Sequence, residues 1–407
     1  MKDFVRVAVI GLGQRGLWVT KESLLPNEKY RVTAVCDLYA DRVEAAQKAV
    51  TDKGYPAPFG TTDYREILTR DDVDAVLVMC SWETHVAVSV AALRAGKPVG
   101  MEVGGAYSVE ECWDLVRAQE ETGTPFMFLE NCCYGRREMM VMNMQDLGLL
   151  GEIVHCSGSY EHDLRYEISH GKELRHYRLR NYINRNCENY PTHELGPIAQ
   201  ILRINRGNRM MYLTSTASSA KGLHTYVAEK KADDTELLNT VFRQGDVVTT
   251  VIKCAGGETI RLTLGTTLPR FYSRNFTVCG TRGMYEENSN SVYLDNEPAH
   301  HKVESRWVKE QSGNAEQYAE QYDHPVWKQF LNDGVRGGHG GMDWLVYSEF
   351  ANCLLEGRPF PIDVYDAAAW MVITPLSEAS IARGSAPVDI PDFTNGAWMD
   401  RHWTEVK

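Results

Sequence analysis

Val5-Arg6-Val7-Ala8-Val9-Ile10-Gly11-Leu12-Gly13-Gln14-Arg15-Gly16 decides the fold of the first third of this chain. A short β-rich run leads straight into a glycine turn, after which Leu17 to Leu25 has helical character until Pro26 stops it. Each glycine has its own physical reason: Gly11 allows a tight turn, Gly13 lets backbone approach a pyrophosphate, and Gly16 lets the helix pack closely on the strand. The helix N-terminus, with Gln14 and Arg15 in it, then faces the anion. A second strand, Val32 to Cys36, ends at Asp37, about 20 residues beyond the turn, where an acid binds ribose hydroxyls and repels a 2′-phosphate. NAD is therefore expected over NADP, with Arg15 pulling the other way.

The alternation continues with a strand at Ala75 to Met79, a helix from Thr84 to Arg94 closed by Gly96, and a strand at Pro98 to Glu102. Ser108 and Glu111 form a capping box for the next helix, Gly123 ends it, and Pro125 to Leu129 reads as a further strand. This rhythm implies a doubly wound parallel Rossmann sheet over residues 1–131. Its ligand belongs at the carboxyl ends of the strands, which places Ser81, Trp82, His85, Glu102, Glu130 and Asn131 at the cofactor crevice.

From about Tyr134 the pattern changes. Strand character appears at Met210 to Ala217, Thr240 to Phe242, Val247 to Ala255, Thr259 to Gly265 and Phe276 to Cys279, with Gly256-Gly257 as a hairpin signal, and helical patterns return between Pro325 and Arg383. Residues 132–407 are therefore expected to form an open, mostly antiparallel sheet with helices, an α+β domain whose sheet face could pair with another copy of the chain.

Composition narrows the function. The chain has 407 residues, 43% of them hydrophobic, as compact globular proteins do. With 43 Lys and Arg against 55 Asp and Glu, its net charge of −12 argues against nucleic acid as partner. Its apolar runs fall well short of the roughly 20 residues that span a bilayer. With Met1-Lys2-Asp3-Phe4 directly before the first strand, a cytoplasmic location is expected. The ten cysteines are scattered without a Cys-x-x-Cys pair, which reads as buried reduced thiols. A P-loop, a Gly-x-Ser-x-Gly elbow and a His-Glu-x-x-His pair are all missing from the sequence.

The chemistry is concentrated in His176-Tyr177-Arg178-Leu179-Arg180-Asn181 and Asn189-Tyr190-Pro191-Thr192-His193. Arg and Asn donors beside aromatic rings suit a pyranose, which offers hydroxyls edge-on and an apolar C–H face. The same mix could bind RNA or form a solvated loop, and the net charge disfavours the first of these. Tyr190-Pro191 or Thr192 opens a helix with His193 in its first turn, where the positive dipole end disfavours an imidazolium and suits the ring to accept a proton. In Gly337-Gly338-His339-Gly340-Gly341-Met342-Asp343, four glycines around one histidine form either a flexible turn or a close approach to a ligand. His339 and Asp343 lack further ligands at metal spacing, and no metal is expected.

Taken with Glu130-Asn131-Cys132-Cys133-Tyr134 and Tyr160-Glu161-His162-Asp163-Leu164-Arg165, these motifs make the whole chain resemble the Gfo/Idh/MocA oxidoreductase superfamily and, within it, glycoside hydrolase family 109. The ordinary superfamily dehydrogenase carries Glu-Lys-Pro where this chain has Glu102-Val103-Gly104. The missing lysine argues against a net NAD-dependent sugar dehydrogenase, the alternative reading, and a non-catalytic NAD or sugar sensor is a third.

The resemblance implies redox-neutral hydrolysis with a tightly held NAD that is regenerated each turnover. Hydride leaves C3 of the sugar, the resulting ketone acidifies C2, loss of that proton expels the C1 group, water adds, and hydride returns. It also implies roles: His193 as base toward the C3 hydroxyl, Tyr190 as proton-transfer partner near C2, and Arg178, Glu130, Tyr160, Tyr272 and His339 as sugar-binding groups. Gly11, Gly13, Gln14, Arg15, Gly16, Asp37, Trp82, His85, Glu102 and Asn131 fall to the cofactor. Terminal α-linked N-acetylgalactosamine is the substrate to which the family points first.

Overall fold

The computed structural model describes residues 3–295, 297, 312–404 and 406. Packing divides the chain into two compact units, and less simply than one cut between residues 1–131 and 132–407. The first comprises Met1–Tyr134, Phe330–Ala368 and Trp403–Lys407; the second comprises Gly135–Gln329 and Ala369–His402.

The first unit is built on six parallel strands: β1 (Val5–Ile10), β2 (Tyr30–Cys36), β3 (Phe59–Thr61), β4 (Ala75–Val78), β5 (Val99–Met101) and β6 (Phe126–Phe128). Their order is β3-β2-β1-β4-β5-β6, the doubly wound arrangement whose chain reversal lies between β1 and β4. Helices α1 (Gln14–Val19), α2 (Ala40–Asp52), α3 (Tyr64–Leu68), α4 (His85–Arg94) and α5 (Val109–Thr122) connect them. α1 is shorter than its apolar run suggests, because the chain widens into a π-type turn at Thr20–Leu24 before Pro26. At α5, the Ser108 hydroxyl accepts from the Glu111 N–H at 3.1 Å, and Gly123 closes the helix in the left-handed region.

The segment that returns to this unit contributes the helix Met342–Glu356. The Tyr30 hydroxyl donates to the Tyr347 carbonyl, and the Phe128 N–H to that of Ile362. A side chain at Gly100 on β5 would press on the Phe350 ring, which fixes how closely that helix lies. Tyr347 and Phe350 are fully buried.

The second unit carries eight strands: β7 (Ile153–Glu161), β8 (Met210–Ala217), β9 (Val247–Cys254), β10 (Thr259–Gly265), β11 (Thr277–Gly280), β12 (Gly283–Glu286), β13 (Ser291–Leu294) and β14 (Val388–Asp389). Their order is β13-β12-β11-β7-β10-β9-β8-β14. Every pair is antiparallel except β7 with β10, so the open sheet is mixed and largely antiparallel as expected. The β9–β10 hairpin turns at Gly256-Gly257.

Thr240 to Phe242, expected as a strand, is not one. The chain there turns back so that the Arg243 and Gln244 N–H groups donate to the Tyr182 carbonyl. Helices α6 (Arg136–Asp146), α7 (Arg165–Ser169), α8 (Arg178–Asn184) and α9 (Thr192–Ile201) lie among the strands in sequence. All ten cysteines are free, and eight of them are buried. Among the described residues, no helix is long and apolar enough to cross a membrane.

Candidate active site

In the first unit the three glycines of the turn meet different surroundings. Gly11 sits at φ +100, and a Cβ there would lie 2.4 Å from the Cys80 nitrogen; one at Gly16 would lie 1.9 Å from the Gly11 carbonyl oxygen. The fold itself demands these two. Gly13 differs: the atom nearest its missing Cβ is Arg42 Nη1 at 3.6 Å, so protein packing does not require glycine there. The Asp37 carboxylate follows β2, accepts from the Leu12 N–H at 2.7 Å and from the Tyr39 N–H at 3.0 Å, and has Arg42 3.7 Å away.

Further side chains gather at the carboxyl ends of the other strands. Arg15 donates through Nε to Glu102 at 3.0 Å and through both terminal nitrogens to Asp343, at 2.8 and 2.9 Å. Glu102 also accepts from the Tyr347 hydroxyl at 2.6 Å, and Asn131 donates to Asp343 at 2.7 Å. Burial opposes the Arg15 charge, yet Glu102, Tyr347 and Asp343 more than offset it and hold the guanidinium ionised. Burial also works against the Asp343 carboxylate, but hydrogen bonds from His339 and Arg15 keep it well below the usual carboxylate range.

His85 opens α4 at 1% exposure, and burial pushes its imidazole down to about 4, so the ring is neutral. Its Nε2 and the Asn131 Oδ1 are buried without a hydrogen-bond partner among the described residues. Two orphaned polar atoms and a Gly13 that packing does not require fit a dinucleotide cofactor. The Trp82 indole donates to the Val103 carbonyl at 3.2 Å, and its ring occupies the space a Cβ at Gly104 would need. The Gly104 that departs from the superfamily pattern is thereby explained.

An open cleft of about 700 Å³ is lined by Gln14, Arg15, Leu17, Trp18, Lys21 and His339. His339 stands at φ +50, donates from Nδ1 to Asp343 at 2.7 Å and meets the Trp18 ring edge-on at 5.8 Å. Gly338 is glycine because the Trp18 ring fills the place of its Cβ. Expected as a sugar contact, His339 thus belongs, with Glu130, to the unit that carries the glycine turn. Glu130 is fully buried and accepts from the Cys132 N–H at 3.0 Å.

In the second unit the fold brings Tyr160, Arg178, Tyr190, His193 and Tyr272 together. Tyr160 lies near the end of β7, Arg178 opens α8, His193 is the second residue of α9, and Tyr272 follows β10. The Tyr190 hydroxyl is 3.1 Å from His193 Nε2. Around Tyr160 stand the rings of Tyr190 at 4.6 Å, His193 at 5.7 Å and Tyr272 at 6.5 Å, and the Arg178 guanidinium lies over the Tyr190 ring at 5.2 Å. Arg178 pairs with Glu167 at 2.9 Å; burial opposes its charge, while the Tyr160 phenol and Glu167 favour it and hold it ionised. His162, 5.3 Å from Tyr272, is pushed down first by burial and then by Arg178.

The loop that presents Tyr190 is stitched from behind. Gln244 accepts from the Cys187 N–H and donates to its carbonyl, and it also accepts from Asn189. The Glu188 N–H donates to Ser377 and its carbonyl accepts from Thr374. Glu188 itself is fully buried, and burial pushes its carboxyl up to about 8.

Asp343, Tyr347, Trp18, His162, Glu167 and Gln244 were absent from the residues expected at a site. Of these, His162 and Asp343 lay within quoted motifs, Asp343 weighed there only beside His339 as a metal ligand, with its partner Arg15 328 positions away.

Residues 134–400 match the glycosyl hydrolase 109 C-terminal domain, and residues 5–129 match the oxidoreductase family with NAD-binding Rossmann fold. The chain is 38% identical to an α-N-acetylgalactosaminidase of Tannerella forsythia, covering 98% of this chain and 88% of that protein. It is also 38% identical to a glycosyl hydrolase family 109 protein of Stenotrophomonas maltophilia, covering 98% and 90%. In fold it is similar to an NAD binding oxidoreductase from Klebsiella pneumoniae, with a TM-score of 0.70 at 15% identity over 96% of this chain and 100% of the other. The chain belongs to glycoside hydrolase family 109, on a Gfo/Idh/MocA scaffold, and is a glycoside hydrolase that depends on NAD.

Proposed function

We propose that the protein hydrolyses terminal α-linked N-acetylgalactosaminides or related glycosides by a redox-neutral route, with an NAD that stays bound and is restored each turnover. The observation that carries this reading is the Tyr190 hydroxyl set on His193 Nε2 inside the ring of Tyr160, Arg178 and Tyr272. It supports the reading because a base, a proton partner and a sugar-binding surface would then share one cluster.

Bound NAD would supply reversible hydride acceptance at C3. Gly13, Gln14, Arg15, Asp37, Trp82, His85, Glu102 and Asn131 would hold it, with Gly11 and Gly16 shaping the turn. His193 takes the proton of the C3 hydroxyl as the carbonyl forms there, and Tyr190 is the proton-transfer partner near C2, where loss of a proton expels the C1 group. The Tyr190–His193 contact gives both protons one path for return. Arg178 donates to ring hydroxyls, Tyr160 and Tyr272 offer faces to the C–H side of the pyranose, and Glu130 and His339 complete the sugar contacts.

This route needs no pair of carboxylates flanking the glycosidic bond, and Val103 stands where a net dehydrogenase has lysine. Terminal α-linked N-acetylgalactosamine is the first substrate to try, since the T. forsythia relative carries that activity in its name.

The test is to purify the protein without added cofactor, measure NAD released on denaturation, and assay α- and β-linked nitrophenyl glycosides while following the NADH band. Aglycone release with carried NAD and no NADH build-up supports the reading. NADH formed in proportion to substrate, without aglycone, overturns it in favour of a net dehydrogenase.

We also propose that copies of the chain associate through the open sheet. Tyr212, Val251 and Tyr293 are each 42% exposed on β8, β9 and β13. Light scattering on the purified protein that gives the monomer mass would contradict this.

A further inference from the structure

Asp343 stands outside the roles assigned above, yet four hydrogen bonds converge on its carboxylate. Its side chain is fully buried at the first turn of the helix Met342–Glu356. Each carboxylate oxygen takes two donors. Oδ1 accepts from Arg15 Nη2 at 2.9 Å and Asn131 Nδ2 at 2.7 Å; Oδ2 accepts from Arg15 Nη1 at 2.8 Å and His339 Nδ1 at 2.7 Å. Three separate pieces of chain meet on one side chain: the glycine turn, the segment after β6 and the glycine-rich loop.

The chemistry of that meeting is specific. A bidentate carboxylate fixes the plane of a guanidinium, not just its position. With Nε on Glu102, the Arg15 side chain is held at both ends and cannot swing toward a 2′-phosphate. Because a carboxylate only accepts, it also fixes the His339 proton on Nδ1 and turns the Asn131 amide so that Oδ1 faces away from Asp343. That Oδ1 is buried without a partner among the described residues and is open to a ligand donor.

We propose that Asp343 is a positioning residue for the NAD site, setting the orientations of Arg15 and Asn131 toward the cofactor and of His339 toward the sugar. The proposal rests on the assignment of Arg15 and Asn131 to the cofactor. An asparagine at 343 would present one acceptor and one donor where four donors converge, so the two donors on the replaced oxygen lose their acceptor.

The test is calorimetric titration of NAD into the protein freed of its carried cofactor, with melting temperature measured alongside. Asp343→Asn is expected to weaken NAD by roughly tenfold or more. Against an Arg15→Met background the same change should add little, because its main partner is already gone. Asp343→Glu, which keeps the charge but displaces it, serves if the asparagine variant does not fold, and should show the same dependence on Arg15.

An unchanged NAD affinity in the variant that folds would overturn the proposal. So would an equal loss with and without Arg15, since Asp343 would then act on stability alone. If the unmodified protein carries and binds no NAD, it is the functional reading that fails, and the titration separates the two.

Discussion

Asp343 in the first unit gathers four donors at 2.7 to 2.9 Å, whereas Tyr160 in the second is surrounded by four rings whose centres lie 4.6 to 6.5 Å away. The first arrangement is ionic and directional, so exchanging one oxygen for nitrogen is enough to break it. The second is a broad cluster of ring contacts, and it tolerates small shifts but not the loss of a ring or of the His193 nitrogen it holds. One region suits a cofactor that is always the same; the other suits a sugar that must enter, change shape and leave.

The largest expected effect falls on the second region. His193→Ala should lower turnover by about 10²- to 10⁴-fold while the protein still carries NAD. Loss of both would show that the two regions are not separable.

The next effect is on stability and sets one buried group of each unit against the other. His85 is neutral in the fold, with a folded value of about 4 against an ordinary 6.5, so between those values the unfolded chain binds more protons. Stability is fully present above pH 6.5 and is lost as pH falls toward 4, by about 3 kcal/mol from this residue. Glu188, raised to about 8, acts with the opposite sign: its contribution is full below about 4.5 and is lost as pH rises through 8. Unfolding curves of His85→Gln and Glu188→Gln should each flatten one limb of the stability profile, and identical profiles for both would contradict the assignments.

The glycine turn offers a smaller contrast within the first region. Gly11→Ala should cost about 2 kcal/mol or more from backbone strain and collision with Cys80, whereas Gly13→Ala should leave melting nearly unchanged and still impair NAD binding. The smallest effect expected is that of Arg178→Lys, which keeps a charge near Glu167 but loses the planar donors over Tyr190. KM should rise about tenfold with kcat less affected.

The glycine turn, Asp37, the capping box at Ser108 and the hairpin at Gly256-Gly257 were legible because each is a local pattern with a local cause. The strand β7 was not. Cys156-Ser157-Gly158-Ser159 at its centre is small and polar, and it is a strand because β10 and β11 flank it. A Cβ at Gly158 would collide with Glu194 on α9, so tertiary packing chose a residue that strand propensity would not. Thr240 to Phe242 shows the converse, with strand-like residues that find no strand partner.

At the site, Tyr190 and His193 could be paired from sequence because three positions separate them at the start of a helix. Asp343 could not, since its partners Arg15 and Asn131 lie 328 and 212 positions away. Only the return of residues 330–368 to the first unit brings them together.

The most direct test of the redox-neutral route is to hydrolyse a terminal α-N-acetylgalactosaminide in deuterium oxide and examine the released sugar by mass spectrometry and NMR. Removal of the C2 proton during elimination, with return of hydride to C3, predicts one solvent deuterium bound at C2 and none at C3. Released sugar without carbon-bound deuterium would contradict it and point to direct displacement at C1.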